Sequence, residues 1–330
     1  MITNIEKIEN LLKIGNYLKM HRINYNGLRL YLESDPIFNY YSGLTGAMDA
    51  STFKGDPDNK RLEKDWRENM IDLYGKKAID DYVSATADFG TLTHESLLII
   101  KEKGQIDWNK EFDRAMGYFK NFFIKKSFIV DDKIDSLIQK MAYSYQKHVG
   151  SLLQFFHERV KEIYAIEVPA KIDYLWIATP IDMVCSCRLT PKGDFCITTI
   201  NLKTSNQINN HQLEQAACEL LMWNETYPDN KATHTAILRS KDWTEGKTPT
   251  FELKYLELKE AEQIAINIFK RMEFCLNSPA SYFPNPISKY FTGITKIGES
   301  PVIIEKTLET EWKEKQEELN KPPMDLVNVI

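Results

Sequence analysis

Between Lys171 and Ser205 the chain changes character. KIDYLWIATPIDMVCSCRLT and DFCITTINLKTS are rich in valine, isoleucine, threonine and aromatic residues, and Pro191-Lys192-Gly193-Asp194 separates them. β-branched and aromatic residues suit a pleated, half-buried surface, and a Pro/Gly/Asp cluster punctuates a turn. The two runs therefore read as an antiparallel hairpin. A helix over about 209–224 follows, containing HQLEQAACELLMWN, and then THTAILRS and TFELKYLEL supply two more strands. Strand, strand, helix, strand, strand calls for a central sheet covered by helices, an α/β core.

The N-terminal half reads as mostly helical. Ile5, Ile8, Leu11, Leu12 and Leu18 predict a helix over 3–20. INYNGLRLYLESDPIFNYYSGLTGAM alternates, with turn signals at Asn26-Gly27 and Asp35-Pro36, and predicts short strands and a hairpin. Charged residues 58–83 predict a helix, and another is expected to start near Thr91, just after Gly90. Trp108, Phe112, Met116, Phe119 and Phe123 form the apolar stripe of a helix over 108–126. A long helix is expected over 132–162, with Phe155 and Phe156 in the core, an amphipathic one over 259–277 and a charged one over 306–320. The expected organisation is a single domain over 1–300, with a mostly helical part at 1–165 and the core sheet and helices at 166–280. A charged helix and tail at 301–330 follow.

Composition narrows the function classes. With 330 residues, 43% apolar and 27% charged, the chain is long enough to bury a core. Its net charge of −5 excludes a globally basic nucleic-acid coat, so contact with DNA must run through a local basic cleft. The charged N-terminus does not resemble a secretory signal, and no run of about 18 apolar residues predicts a membrane span. The five cysteines, Cys185, Cys187, Cys196, Cys218 and Cys275, are expected to be reduced thiols in a cytoplasmic protein.

The chemistry-bearing residues lie in and after the hairpin. Asp182 interrupts the apolar run ATPIDMV. Asn201 and Lys203 end the next strand, two residues apart, so alternation places them on one face. A simple hairpin about 191–194 sets Asp182 close to both, and Gln215 lies on the following helix. Oxygen ligands beside a lysine suit phosphodiester hydrolysis. Magnesium wants hard oxygen ligands and can activate a water, while a lysine can orient or deprotonate that water. Taken singly, these residues have ordinary alternatives: a strand acid paired with an arginine, a solvated lysine, a plain helix glutamine.

Four short matches occur in order. Phe89-Gly90-Thr91-Leu92-Thr93-His94-Glu95 is similar to a G-T-x-x-H helix motif. Thr179-Pro180-Ile181-Asp182-Met183-Val184 is similar to a G-x-x-D strand, and Asn201-Leu202-Lys203-Thr204-Ser205 to a D-x-K-T-S strand. Gln215-Ala216-Ala217-Cys218-Glu219 is similar to a Q-x-x-x-Y helix. In this order they resemble the PD-(D/E)xK nuclease superfamily, in the branch of RecB-type nuclease domains, lambda exonuclease and many phage proteins. The resemblance implies a restriction-endonuclease-like core, a mixed central sheet flanked by helices. It implies that His94 and Asp182 hold Mg²⁺ or Mn²⁺ together with residue 201, and that Glu167 lines the site. Lys203 is then the catalytic lysine and Gln215 orients it. Thr179 departs from the motif glycine, Glu219 from the tyrosine and Asn201 from the second metal carboxylate.

Asn201 leaves three explanations open: an engineered Asp→Asn change, an asparagine compensated by Glu167 or His94, or a natural pseudo-nuclease that binds DNA without cutting. An iron–sulfur cluster is not expected, since no cysteine precedes Cys185. The expectation is a metal-dependent exonuclease-type DNA nuclease acting on ends or single strands, from a phage or other mobile element and working in a bacterial or phage-infected cytosol. Its DNA path is expected beside Lys54, Lys60, Arg61, Lys64 and Arg67, and beside Arg239 and Lys241. The rival reading is a non-catalytic DNA-binding or replication/recombination assembly protein on the same fold. The tail Met324–Ile330 is a further candidate for docking a protein partner.

Overall fold

The amphipathic N-terminus does not form the helix expected over 3–20. Strand β1 (Ile5–Lys7), a single 3-10 turn (Glu9–Leu11) and a stretch without regular structure to Met20 replace it. Tertiary pairing overrides local propensity here. β1 pairs antiparallel with β5 (Gln105–Asp107), Leu12 bridges Ile163, and Ile8 is buried in the core.

The computed structural model describes residues 5–25, 28–33, 39–51, 76–126, 131–205, 207–241 and 250–277. The expected charged helix at 306–320 and the tail lie outside them. So do Lys54, Lys60, Arg61, Lys64 and Arg67 of the expected DNA path. The chain divides into two compact units, each woven from distant segments. The described parts of the first are 5–17, 76–126, 131–168, 180–205, 207–241 and 250–265; those of the second are 18–25, 28–33, 39–51, 169–179 and 266–277.

The first unit is an α/β assembly with a mixed, open sheet flanked by helices. Its helices are α2 (Lys76–Lys103), α3 (Trp108–Lys125), α4 (Asp132–Arg159) and α5 (Asn210–Thr226). Its strands β7 (Ile177–Arg188), β8 (Phe195–Lys203), β9 (His234–Lys241) and β10 (Thr250–Glu257) lie in the order β10-β9-β8-β7, and β6 (Val160–Ile172) also pairs with β7. β7–β8 and β9–β10 are antiparallel, whereas β8–β9 is parallel. α5 is the crossover that a parallel β8–β9 connection requires.

Two expectations about helices are corrected. α2 does not start near Thr91 but runs unbroken through Gly90, where a side chain would meet open space. One glycine weakens a helix by only about 1 kcal/mol, which neighbouring turns and packing offset. α4 stops at Arg159, and Val160 begins β6 at once. Gly104, by contrast, is required to be glycine. It stops α2 at φ 61°, and a Cβ there would lie 2.7 Å from the Glu9 Cβ.

Alternation divides the faces of the first unit's sheet. Met183, Cys185 and Cys187, with Ile200, Leu202, Ala236 and Leu238, join the dry core formed with Phe119, Phe123, Tyr145, Phe155 and Phe156 of α3 and α4. The opposite face, carrying Asp182, Asn201 and Lys203, is left to α5. In the second unit, β2 (His21–Tyr25) and β3 (Leu28–Glu33) form the expected hairpin, with Tyr25 opposite Leu28. β3 pairs with β4 (Asn39–Gly43), β4 pairs in parallel with Ile177 and Ala178, and α1 (Leu44–Ser51) follows. α6 (Leu258–Asn277) follows β10 directly. Among the described residues no helix is long and apolar enough to cross a membrane.

Candidate functional site

Register builds the first part of the site. Met183 pairs with Ile200, so one further antiparallel step sets Asp182 opposite Asn201. Cross-strand partners share a face, and alternation adds Lys203 to it. Asp182 then takes over from the backbone ladder. Its Oδ2 accepts the Leu202 amide N–H at 2.6 Å, and its Oδ1 lies 3.5 Å from His94 Nδ1.

β6 brings Glu167 through a break in its own pattern. Buried and half-exposed residues alternate from Glu162 to Ala165 and again from Ile166 to Ile172, and the adjacent buried pair Ala165 and Ile166 marks a one-residue slip of phase between the two runs. Glu167 sits at that slip with a φ of 49°. A one-residue slip with left-handed backbone is how a bulge re-aims a side chain, and the left-handed conformation costs a non-glycine residue about 1–2 kcal/mol. The re-aimed carboxylate lies 2.6 Å from His94 Nδ1.

His94 comes from the interior of α2. One of its ring nitrogens and one oxygen each of Glu167 and Asp182 all lie within 4.8 Å of one another. The Asp182 charge, aided by Glu167, holds the imidazole up at about 9 against the opposing effect of burial. Burial pushes the Glu167 carboxyl up, while His94 pulls it back down.

α5 supplies the last pair. A reciprocal capping box, Asn209 with Gln212, fixes where the helix starts. Gln215 and Glu219 are one turn apart on one face. Their spacing of about 6 Å matches the roughly 7 Å between alternate strand residues. Lys203 Nζ donates to Gln215 Oε1 at 3.0 Å, and Asn201 Nδ2 donates to Glu219 Oε2 at 2.5 Å. Gln215 Nε2 ties the two rungs together by donating to Glu219 Oε1 at 2.7 Å. Glu219 is only 2% exposed; burial first, then the Asp182 charge, raise its carboxyl to about 7.

His94, Glu167 and Asp182 are thus gathered into one cluster, and Lys203 is joined to Gln215. Asn201 faces Asp182 across the strands but turns its amide nitrogen to Glu219. Arg239, expected on a DNA path, lies opposite Glu252 in the ladder, and its Nε donates to Glu252 Oε2 at 2.7 Å. A phosphate approaching Arg239 has to compete with that carboxylate.

The donor chemistry fits a hard divalent cation. Carboxylate oxygens with one imidazole suit Mn²⁺ or Mg²⁺ better than a thiol-seeking metal. Asn201 adds a specific sign of fit: it is 1% exposed, and its Oδ1 is buried without a hydrogen-bond partner. A buried, unsatisfied carbonyl oxygen costs about 1–3 kcal/mol unless something occupies it.

Sequence alone marks Glu219 only as a departure from a tyrosine. The signal that could have found it is a lone charge in AACELLMW, where Ala216, Ala217, Cys218, Leu220, Met222 and Trp223 are all buried. Neither models of known protein families nor curated proteins give a match to this chain.

Proposed function

We propose that this chain is a divalent-metal-dependent DNA nuclease with a restriction-endonuclease-like core, hydrolysing phosphodiester bonds at DNA ends or in single strands. The observation that carries the reading is the convergence of His94, Glu167 and Asp182 on one point, with all three ligand atoms within 4.8 Å of one another. The lysine held by Gln215 on the same strand pair supports it. His94, Glu167, Asp182 and Asn201 would hold Mg²⁺ or Mn²⁺. The cation, when bound, supplies an acidified water and neutralises charge developing on the phosphate. Lys203 orients the attacking water and stabilises transition-state charge as an ammonium, or takes the water's proton as the neutral amine, and Gln215 holds its Nζ in place.

The net charge of −5 suits an enzyme with a narrow basic cleft better than a protein that coats DNA. The neutral residue at position 201 favours a second reading, a protein that binds DNA on this fold without cutting it. The test is degradation of end-labelled single- and double-stranded linear DNA with Mn²⁺, comparing the chain with Lys203→Ala. Metal-dependent cutting that Lys203→Ala abolishes supports the nuclease. Cutting that survives the substitution removes Lys203 from the chemistry. Salt-sensitive DNA binding without turnover, in this chain and in Asn201→Asp alike, establishes the second reading.

A further inference from the structure

We propose that the second acid of the cation site has moved from strand β8 to helix α5: Glu219, with the Asn201 amide oxygen and Asp182, completes the site, so Asn201 is a matched partner and not a disabling change. The inference rests on the metal-dependent reading above. It comes from one contact and its consequence. The Asn201 amide has one end on Glu219 Oε2 at 2.5 Å. The other end of the amide, Oδ1, is buried with no partner. Asn201 lies opposite Asp182 by register, which puts the amide and the Asp182 carboxylate on one face of the strand pair.

Charge points the same way. A divalent site needs negative charge, and Asn201 brings none. Glu219 brings one, fully buried, in an otherwise apolar stretch of helix. Its oxygens each accept a single hydrogen bond, from Asn201 and from Gln215. An ionised carboxylate has about four acceptor positions, so lone pairs remain for a cation. Replacing Asn201 with aspartate would set a second carboxylate where the amide now touches Glu219 at 2.5 Å. Like charges so close repel strongly in a buried site. Position 201 is therefore neutral because position 219 is acidic.

The experiment is calorimetric titration of Mn²⁺ into the full-length chain, Glu219→Gln, and the exchanged double variant Asn201→Asp/Glu219→Gln, each first shown to be folded by its melt without metal. Glutamine preserves the shape of Glu219 and an oxygen for Asn201, and gives up only the hydrogen bond from Gln215. Glu219→Gln should weaken Mn²⁺ binding at least tenfold, and the exchange should recover most of that loss. Unchanged Mn²⁺ affinity in Glu219→Gln overturns the inference while leaving the metal-dependent reading intact. An exchanged variant that binds no better than Glu219→Gln also overturns it. Absence of Mn²⁺ binding in the unaltered chain overturns both. If either variant fails to fold, Mn²⁺ paramagnetic broadening in the unaltered chain decides: strong broadening of the Glu219 side-chain carboxyl signal supports the inference, and none overturns it.

Discussion

Asn201 and Glu219 form one rung, and Lys203 and Gln215 the next, between a strand and the helix that crosses over it. The rungs match because alternate strand residues and residues one helical turn apart repeat at nearly the same interval. Whatever moves α5 along β8 disturbs both rungs together.

The lysine rung gives a graded expectation. Lys203→Ala should lower metal-dependent DNA cutting by about 10³–10⁴-fold, the range of a lost general base or charge stabiliser. Gln215→Ala leaves the ammonium present but unheld, and should cost about 10²-fold, as misplacement of a reacting group does. Mn²⁺ affinity should change little in Gln215→Ala. Equal losses of cutting in the two variants would show that Gln215 does more than hold the lysine.

Asp182 has a structural task and a chemical one, and two substitutions separate them. Asp182→Ala strips the acceptor from the buried Leu202 N–H, which should cost about 1–3 kcal/mol in denaturant unfolding. Asp182→Asn keeps an oxygen for that N–H and should unfold close to the unaltered chain. Both should lose Mn²⁺ binding. If the alanine and asparagine variants are equally stable, the bond to Leu202 contributes nothing.

Glu167 is held in a backbone conformation that disfavours its own side chain, with φ at 49°. Glu167→Gly relieves that strain but also removes a half-buried carboxylate and its bond to His94. The relieved strain of about 1–2 kcal/mol is offset by the lost bond to His94 and by glycine's own penalty, so the metal-free protein should unfold within about 1 kcal/mol of the unaltered chain. Mn²⁺ binding should fall by more than tenfold in the same variant. A destabilised Glu167→Gly that still binds the metal would remove Glu167 from the site.

His148, on α4, gives the acid dependence of folding a specific contributor. Burial pushes its imidazole down to about 3, whereas an unfolded histidine titrates near 6.5. Between these values the unfolded chain binds the proton and the folded chain does not, so stability falls as pH drops through this window. At pH 5 the loss is roughly 2 kcal/mol relative to pH 7. His148→Gln should flatten the decline between pH 7 and pH 5, read from melts of the metal-free protein. An unchanged slope would assign the acid sensitivity to other groups.

Much of the second half of the chain is legible in its residues alone. The β7–β8 hairpin, helix α5, strands β9 and β10 and helix α6 fall close to where alternation, turn residues and helical periodicity place them. These signals are local, so residues near in sequence decide them. The proximity of Asp182 to Asn201 follows from the hairpin alone, since a turn of known place sets the register.

Tertiary structure decided the rest. Residues 5–20 carry a helical spacing of apolar residues, yet β1 pairs with β5 about 100 residues away, and no local pattern reports such a partner. Glu167 reaches His94 only because β6 slips its phase, and a slip leaves no mark in composition. Glu219 stands out as a charge in an apolar helix, but only the crossing of α5 over β8 shows that it meets Asn201. Sequence by itself determined which residue types were available and which of them share a strand or a helical face. The fold alone determined which faces meet, because that depends on burial summed over the whole unit and not on any single segment.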